Sequence, residues 1–432
     1  MTDEPPSLTV LVAPSGLKEA LTAPAVTRAI AAGVKRAIPT ARILQVPMID
    51  GGEGFTEALV ERTGGTLHRV RVTGPVGVPV DAMFGMLGGD AKNTAVIEMA
   101  AAAGLALVPI GQRDPRRTTS IGVGELILAA VDHGADDILI GCGDSGVNDA
   151  GAGMAQALGV RLLDAEGCDI GLGGAALARL KSIDLSKRDP RLGKVRIRAA
   201  VNWQNVLLGE RGVTRVYAAQ KGASPVQIEE LERAMENLAE RIQDATGIDV
   251  AGGPGTGASG GLGAGLVAFA GATLHPRFDL LLDYTDFDKH LASADLVLTA
   301  EGELDGRSAL GKVPAEVGRR AAARGIPVIA LAGAIGPGSD VVLRHGISAF
   351  ASIIDGCYTR EQAIRNSAAL LEQATEAAVR MVAAGIGIGE ARAAGRPADA
   401  QDQDGPATRQ ATSPARSNGQ PARASRKRRQ RG

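Results

Sequence analysis

The order of apolar and polar positions predicts that strands and helices alternate near both ends of this 432-residue chain. In the first predicted helix, Val26, Ile30 and Val34 recur at helical spacing, Pro24 lies in the first turn, and Pro39 follows the last turn. Strands separated by helices are typical of a parallel sheet, and we expect the strands from both ends to share one. The predicted strands are 8–14, 43–46, 296–299, 328–332 and 349–354, and the predicted helices are 23–38, 55–62, 313–324 and 360–384.

The middle of the chain has a different pattern. Three strand-like segments between residues 67 and 99 follow one another closely, which predicts antiparallel or mixed pairing. We therefore expect an α/β fold in which a parallel-sheet domain is split in sequence by an inserted mixed α/β domain, and a cleft between two such domains is a common ligand site. The predicted domains are 8–66 with 293–385 for the parallel sheet and 67–292 for the mixed sheet. Further predicted elements are strands at 67–72, 80–87, 94–99, 138–140 and 195–201 and helices at 122–133, 154–158, 225–244 and 266–270.

Composition and charge exclude several classes of function. Aromatic residues make up 2% of the chain, so aliphatic side chains must fill the core, and the formal net charge is −1. Residues 390–432 lack hydrophobic periodicity and are rich in Arg, which predicts a disordered basic tail. Because the rest is then net acidic, we expect no nucleic-acid surface on the folded part. No signal-peptide pattern and no apolar run of membrane-spanning length is present, so we expect a cytoplasmic protein that does not bind membranes.

A loop dense in glycine and small polar residues, 141–153, follows the apolar run 138–140. Glycines permit positive φ and the close approach of a ligand, and the free N–H groups at a helix start attract anions. We expect Asn148 or Asp149 either to cap the next helix or to face a substrate. A well-capped turn between a strand and a helix accounts for the same residues, so this loop alone does not decide the function.

Two acidic residues predict a magnesium site. Asp50 and Glu53 flank a Gly-Gly pair just after the predicted strand 43–46. Mg²⁺ prefers one or two carboxylates together with water and substrate oxygens. The alternative is a tight turn in which Glu53 begins the next helix, where the helix dipole favours an acid. Two loop lysines, Lys18 and Lys221, are candidate contacts to an anion, and a solvated charge is the alternative for each.

The densest run of glycine, 252–265, predicts a loop that cradles phosphate, with a flexible linker as the alternative. Farther along, 306–313 nearly matches the GxxxxGK[ST] phosphate-binding loop, but Val313 stands where Ser or Thr would bind Mg²⁺. We therefore exclude a P-loop NTPase and keep Lys312 as a separate candidate for a phosphate contact. The candidate nucleotide- or phosphate-binding residues are Gly257, Gly260, Gly261, Glu301, Asp305 and Lys312.

Short motifs of glycine, acids, amides and lysine follow one another in a fixed order along the chain. They include Asp50-Gly51-Gly52-Glu53-Gly54, Glu98-Met99-Ala100, Thr119-Ser120, Asn148-Asp149, Gln220-Lys221-Gly222-Ala223, Gly260-Gly261-Leu262-Gly263, Glu301-Gly302, Leu304-Asp305 and Gly311-Lys312. Together they resemble the bacterial type-1 glycerate kinase family over about residues 9–384. The resemblance implies ATP- and Mg²⁺-dependent phosphorylation of D-glycerate, at the 2-hydroxyl rather than the 3-hydroxyl in most cases. It also implies a flavodoxin-like parallel domain split by a second α/β domain.

The resemblance and the residue chemistry together suggest roles. Phosphoryl transfer depends mainly on positioning and on neutralising charge on the transferred group. We expect Asp149 to orient or deprotonate the glycerate hydroxyl, with Asn148 beside it and Lys18 offsetting phosphate or carboxylate charge. Asp50 and Glu53 are the expected Mg²⁺ ligands. The expected small-molecule partners are glycerate and ATP, while the oligomeric state is left open, with a homodimer among the options. The predicted substrate-binding residues are Ser145, Asn202, Asn205 and Lys221.

Some family positions differ in this chain. The loop after the first strand has Ser15-Gly16-Leu17-Lys18-Glu19-Ala20 where the family usually has Asp-Ser-Phe-Lys-Gly-Ser. Asn202 stands at a family Asp, and Val147 stands at a family Thr. Loss of two acids weakens a Mg²⁺ site or removes a base. Two alternatives therefore stay open: a kinase for a different small hydroxy acid, and a catalytically weak or silent relative that binds a small molecule.

Overall fold

The computed structural model describes residues 8–17, 19–48 and 50–393, with the backbone alone at Asp283. The chain divides after residue 383 into two compact units. The strands given below belong to the first unit. The described part of the second unit, 384–393, continues the last helix. Lys18 and the chain from residue 394 onward lie outside the described residues, so the predictions made for Lys18 and for a disordered tail there stay predictions.

The strands and helices of the described residues alternate as the pattern predicts near both ends. The strands are β1 (Thr9–Val12), β2 (Arg42–Gln45), β3 (Thr66–Thr73), β4 (Pro79–Met86), β5 (Thr94–Glu98), β6 (Asp137–Gly141), β7 (Arg161–Leu163), β8 (Ser182–Asp184), β9 (Arg196–Val201), β10 (Thr273–Pro276), β11 (Leu296–Leu304), β12 (Val328–Ile335) and β13 (Ala349–Ser352). The α-helices are α1 (Ala23–Ala37), α2 (Phe55–Thr63), α3 (Ala100–Ala103), α4 (Ile121–Asp132), α5 (Ala152–Ala157), α6 (Val213–Tyr217), α7 (Pro225–Thr246), α8 (Ala258–Gly265), α9 (Arg277–Leu281), α10 (Phe287–Leu291), α11 (Val313–Ala322) and α12 (Arg360–Ala393). Among these helices, none is both long enough and apolar enough to cross a membrane.

Strands from both ends of the chain form one parallel sheet of five strands, in the order β13-β12-β11-β1-β2. Val10 in β1 lies opposite Leu296 in β11 and Ile43 in β2. Because α11 covers one face and α1 and α12 cover the other, the side chains of Val10 and Leu11 are both fully buried. The predicted parallel sheet shared by the two ends is therefore confirmed.

The middle of the chain forms a mixed sheet of six strands, in the order β10-β9-β6-β5-β4-β3. The β3–β4 and β4–β5 pairs are antiparallel, whereas β5, β6, β9 and β10 run parallel to one another. One face packs against α4 and α5, and the other packs against α2 and α9. The predicted mixed sheet is confirmed. The short strands β7, β8 and β10 were not predicted.

Helix α2 packs against a different sheet from the one with which the predicted domain bounds group it. Those bounds group it with the parallel sheet, but Phe55 and Leu59 pack against Val96 and Leu139 of the mixed sheet. The loop 50–54 therefore leads from the parallel sheet directly to the mixed one. This crossing brings the carboxyl end of β2 to the carboxyl end of β6, which is where the candidate residues gather.

Two elements extend farther than the sequence pattern predicts. β11 continues through Leu304 because Glu301 and Leu304 pair with Ala332 and Ile335 of β12, so Glu301 lies in a strand and not in the predicted loop. α12 continues from its predicted end near residue 384 to Ala393. Hydrophobic periodicity does not show either extension, because the first depends on a distant strand and the second consists of Ala, Gly and exposed residues.

Candidate active site

The loop between β2 and α2 lies against the loop that follows β6. A Cβ atom built on Gly52 would lie 2.3 Å from Asp144 Oδ2 and 3.2 Å from Asp50 Oδ1, so a side chain at this position would displace the Asp144 carboxylate. The backbone N–H of Glu53 donates to Asp144 Oδ2 at 3.2 Å, and that of Gly52 donates to Asp50 Oδ1 at 3.1 Å. Asp144, from the mixed sheet, thus joins the predicted acid pair Asp50 and Glu53.

Asp144 is a candidate site residue that the sequence analysis missed, although its loop was singled out. Its backbone has φ +47°, in the left-handed region that non-glycine residues rarely adopt. Such a conformation costs about 1–3 kcal/mol and occurs often at active sites. The available signal was the one used for Asp50, namely an acid beside glycines in the loop after a predicted strand.

Asp149 is fully buried, and its carboxylate forms hydrogen bonds with neighbouring residues of the protein. Its carboxylate accepts hydrogen bonds from the N–H of Ser120 at 2.8 Å, from the Ser120 hydroxyl at 2.9 Å, and from the N–H groups of Gly151 and Gly153 at 3.2 Å. Burial raises the pKa of Asp149, while these hydrogen bonds act in the opposite direction. The carboxylate therefore connects the N-terminal end of α4 to that of α5. This geometry does not favour the predicted direct contact with a substrate hydroxyl.

Lys221 brings a buried amine to the same loop. Its Nζ donates to Ser145 Oγ at 3.0 Å and to the carbonyl oxygen of Val147 at 2.6 Å, and the residue is only 2% exposed. Burial lowers the pKa of Lys221 to about 7, and the charge of Asp149 partly opposes this shift. Ser145 is half-buried. A buried amine close to its neutral form therefore lies behind a partly exposed hydroxyl.

Asn148 lies beside this pair and is also fully buried. Its Nδ2 donates to Thr214 Oγ1 at 3.0 Å. Its Oδ1 is buried and accepts no hydrogen bond from any of the described residues. A buried acceptor without a donor costs free energy unless a ligand or water supplies one. The predicted role of Asn148 in binding substrate stays a prediction, because this oxygen lacks a donor but is enclosed by protein.

On the parallel-sheet side, Lys312 Nζ forms an ion pair of 2.9 Å with Glu301 Oε1. Burial raises the pKa of Glu301, Lys312 lowers it, and the nearby charge of Asp50 raises it again. Asp305 accepts hydrogen bonds of 2.8 Å from the backbone N–H and the Nε of Arg307. The predicted nucleotide residues Glu301 and Lys312 therefore lie close to the predicted metal ligand Asp50, whereas Asp305 mainly binds its own neighbour.

Two side chains from the mixed sheet reach across to these loops. Arg277, at the start of α9, places Nη1 3.5 Å from Asp50 Oδ2 and 3.2 Å from the Asp50 carbonyl oxygen, and its Nη2 donates to the carbonyl of Gly311. Asn202, after β9, donates from Nδ2 to the carbonyl of Leu310 at 2.8 Å. The loop before Lys312 is thus bound by the carboxyl ends of two strands. Arg277 follows the unpredicted strand β10 and belongs to none of the motifs singled out in the sequence.

The glycine-rich loop packs against the backbone of the loop after β6. A Cβ atom on Gly260 would lie 2.0 Å from the carbonyl oxygen of Val147, and Gly260 and Gly261 both have positive φ. The N–H of Gly257 donates to the Asn205 carbonyl at 3.2 Å. These glycines therefore permit close packing of one loop on another, which excludes the flexible-linker alternative. The structure places them behind the residues expected to bind substrate.

Known proteins are similar to this chain in sequence and in fold. A model of the glycerate kinase family matches residues 10–383, which is most of the chain. The chain belongs to the glycerate kinase family. It is 44% identical over 366 residues to the glycerate kinase of Halalkalibacterium halodurans, a match that covers 85% of this chain and 96% of that protein. It is also 44% identical to the glycerate 2-kinase of Escherichia coli K12, over 83% of this chain and 93% of that protein.

The fold of this glycerate kinase family member is also known from a crystal structure. A Salmonella typhimurium LT2 protein, provisionally named glycerate kinase 2, superposes with a TM-score of 0.68 and 42% identity. The match covers 89% of this chain and 99% of that one. The resemblance stated from the motifs is therefore confirmed, and so is the α/β fold class. The family consists of kinases, so the chain is an enzyme.

The acids of this family member suit a divalent cation that is bound together with phosphate. Among the described residues, no group of three or more His, Cys, Asp or Glu side chains is arranged to hold a metal ion. Asp50 and Asp144 nevertheless place two carboxylates beside the same backbone segment, and Mg²⁺ commonly takes one or two carboxylates plus phosphate oxygens and water. The donor set therefore fits Mg²⁺ that a nucleotide helps to bind.

Proposed function

We propose that this protein phosphorylates D-glycerate with ATP and Mg²⁺ and forms 2-phosphoglycerate. The observation that supports this most strongly is the meeting of loops from both sheets, where Asp50 and Asp144 lie close to each other and Arg277 pairs with Asp50. Acids that hold a cation and basic groups that contact phosphate are what transfer of a phosphoryl group requires. The name of the Escherichia coli relative, glycerate 2-kinase, supports the choice of the 2-hydroxyl.

In this proposal Asp50 and Asp144 hold Mg²⁺, with Glu53 next to them. The N–H groups of Gly52 and Glu53 fix the two carboxylates from the protein side. Magnesium, when bound, neutralises charge on the phosphate oxygens and fixes their orientation. The left-handed backbone of Asp144 turns its carboxylate toward Gly52, and this explains why strain is retained at that residue.

The phosphate contacts come from the loop before α11. Lys312 lies at the start of this ten-residue helix, where free N–H groups and the helix dipole also attract an anion. Glu301 orients the Lys312 amine through their ion pair. We assign Gly260 and Gly261 to supporting the substrate loop and not to phosphate binding, because Gly260 packs against the backbone of Val147 and Asn148 and Gly261 packs against Ala150 and Leu207.

The structure suggests a path for the proton that the glycerate hydroxyl must lose. In our proposal, the hydroxyl proton passes to Ser145 Oγ while the proton of Ser145 passes to Lys221 Nζ. A bond forms between the glycerate oxygen and the γ-phosphorus of ATP, the bond from that phosphorus to ADP breaks, and Lys221 ends as an ammonium. Asp149 stabilises that ammonium by its charge and holds the loop in place. In this proposal Lys221, and not Asp149 as expected from the sequence, is the group that finally accepts the proton.

The substrate itself would be held by groups of the mixed sheet. Asn148 Oδ1 has no donor among the described residues and would accept a hydrogen bond from a second hydroxyl of glycerate once substrate binding exposes it. Asn202 fixes the loop at Leu310, and Asn205 accepts a 3.4 Å hydrogen bond from the Tyr217 hydroxyl. These two asparagines therefore shape the site through their neighbours.

Substitutions relative to the family bear on which acid is the substrate. Ser15 Oγ donates to the carbonyl of Ala300 at 2.9 Å, so this side chain binds β11. Asn202 likewise binds backbone at Leu310. Because these residues form structural bonds where the family usually has acids, a different small hydroxy acid is the second candidate substrate. A catalytically weak or silent protein that binds a small molecule is the remaining alternative.

A coupled assay of ADP release separates these candidates. ATP and Mg²⁺ would be supplied with D-glycerate, L-glycerate, glycolate, D-lactate or tartronate, each in turn. If kcat/KM is highest with D-glycerate, the proposal is supported. If it is higher with another acid, that acid is the substrate instead of D-glycerate. Calorimetric binding of ATP with no ADP release from any acid would identify a silent relative.

A further inference from the structure

Arg277 connects the two sheets at the proposed magnesium site. It follows β10 at the edge of the mixed sheet, and its guanidinium reaches Asp50 after β2 and Gly311 before α11. The separation of Nη1 from Asp50 Oδ2 is 3.5 Å, which is long for a charge-assisted hydrogen bond. Arg277 therefore lies between the carboxylate proposed to hold magnesium and the loop proposed to hold phosphate.

The guanidinium has a donor that the protein does not use. The Arg277 side chain is only 10% exposed, and its Nε is buried without an acceptor among the described residues. A buried charged donor without a partner costs free energy, so the protein leaves part of the hydrogen-bonding capacity of Arg277 unused. The planar guanidinium matches phosphate oxygens, and its carbon lies 4.8 Å from the centre of the Phe278 ring, which limits its orientation.

Neighbouring cations differ from Arg277 in this respect. Arg307 makes a 2.8 Å hydrogen bond from Nε to Asp305 and an ion pair of 2.6 Å to the same carboxylate. Arg320 uses Nε, Nη1 and Nη2 on three different acids. Among these three arginines, Arg277 combines burial, an unused Nε and a position between the two sheets.

We propose that Arg277 is a phosphate-binding residue of this enzyme and that it competes with a divalent cation for Asp50. The identity of the phosphate ligand, the terminal phosphates of a nucleotide, rests on the proposed function. A guanidinium that pairs with Asp50 lowers the affinity of that carboxylate for a cation. When phosphate takes the guanidinium, Asp50 becomes more available to the metal, so binding of phosphate and metal is coupled through one side chain.

Titration calorimetry with tripolyphosphate and with ADP tests the phosphate contact. Arg277→Gln should weaken the binding of both probes by about tenfold or more, and Arg277→Lys should restore part of the affinity. Arg324→Gln is the matched control, because it removes one positive charge from an exposed ion pair with Asp288. Circular dichroism and thermal melting confirm folding, and the Arg277→Lys variant keeps the test available if the Gln variant does not fold.

Electron paramagnetic resonance of Mn²⁺ tests the competition without any turnover. With Mn²⁺ alone, Arg277→Gln should bind the metal several-fold more tightly than wild type and Arg324→Gln, because Asp50 loses its cationic partner. Unchanged tripolyphosphate and ADP affinities in Arg277→Gln would overturn the phosphate contact. Mn²⁺ affinity that is unchanged or weaker would overturn the competition.

The same probes separate this inference from the proposed function. If wild type binds tripolyphosphate through Arg277 but phosphorylates no hydroxy acid, the phosphate site is supported and the kinase proposal is rejected. If wild type phosphorylates D-glycerate while Arg277→Gln binds both probes normally, the kinase proposal is supported and the role of Arg277 is rejected. Wild type that binds neither tripolyphosphate nor ADP rejects both.

Discussion

Lys221 Nζ lies 3.0 Å from Ser145 Oγ, and this hydrogen bond connects a fully buried amine with a partly exposed hydroxyl. Because burial lowers the pKa of Lys221 to about 7, the amine is largely neutral above that pH and protonated below it. Only the neutral amine can accept a proton through Ser145. We therefore expect kcat for D-glycerate to rise with pH through an inflection near 7 and then level off.

Replacement of the lysine should remove that inflection. Lys221→Met is expected to lower kcat by about 100-fold and to give a pH profile without the step near 7. Lys187→Met is the control, because Lys187 is exposed and lies outside the site. Steady-state kinetics from pH 6 to 9 provide the measurement. Retention of the step in Lys221→Met would show that another group accepts the proton.

Asp149 is expected to support the loops and not to accept the substrate proton. Asp149→Asn leaves at least one of its buried donors without an acceptor, which should lower the free energy of unfolding by about 1–3 kcal/mol. Urea denaturation measures that loss. The kcat should fall as well, because Ser120 and Gly153 lose a shared anchor. The inflection should remain but move to a lower pH than in wild type, because the charge of Asp149 no longer raises the pKa of Lys221. Loss of the inflection in this variant together with wild-type stability would return the base role to Asp149.

The two carboxylates beside Gly52 should set the dependence on magnesium. Asp50→Asn and Asp144→Asn are each expected to raise the Mg²⁺ concentration at half-maximal velocity by about tenfold or more, because an amide is a weaker ligand for Mg²⁺. Asp90→Asn serves as the control, since Asp90 is an exposed acid in a surface turn. Equal magnesium requirements in wild type and Asp144→Asn would remove Asp144 from the metal site.

The packing of the glycine-rich loop can be separated from its backbone conformation. Gly260 and Gly271 both have φ near +70°, but a Cβ atom would lie 2.0 Å from the Val147 carbonyl at Gly260 and would meet nothing within 4 Å at Gly271. Gly271→Ala should lower the free energy of unfolding by about 1 kcal/mol, from the positive φ alone. Gly260→Ala should lower the free energy of unfolding by about 1–3 kcal/mol more than Gly271→Ala does, because Val147 must move. The same movement should also reduce kcat. Equal losses in urea denaturation would contradict the packing role.

Local patterns in the sequence predict most of the fold because the elements are strongly periodic. The strand at Ile138 and the helix from Pro225 follow from an apolar run and from amphipathic spacing with a proline in the first turn. In contrast, β10 has four residues and ends in Pro276, and it is a strand because it pairs with β9. Pairing of distant segments of this kind has no local signal, and Arg277 was missed for that reason.

The candidate site was predicted in its loops more accurately than in its individual roles. Acids and lysines next to glycines draw attention to Asp50, Lys221 and Lys312. Asp50 and Lys312 follow strands of the parallel sheet, which place their loops at one edge, whereas Lys221 ends a short 3-10 helix after α6. Burial is a tertiary property, so Asp149 has the sequence of a catalytic acid although its carboxylate is enclosed by N–H groups. The density of glycine at Gly260 likewise indicates close approach without showing whether phosphate or backbone approaches.

The most direct measurement is phosphorus and proton NMR of purified protein incubated with ATP, Mg²⁺ and D-glycerate. We expect ATP to decrease as ADP and one phosphoglycerate increase in equal amounts, with the new phosphate coupled to the proton on carbon 2 of glycerate. Coupling to the protons on carbon 3 would contradict the 2-hydroxyl assignment. ATP that remains intact, or that yields ADP and inorganic phosphate without a phosphoglycerate, would contradict the proposed transfer itself.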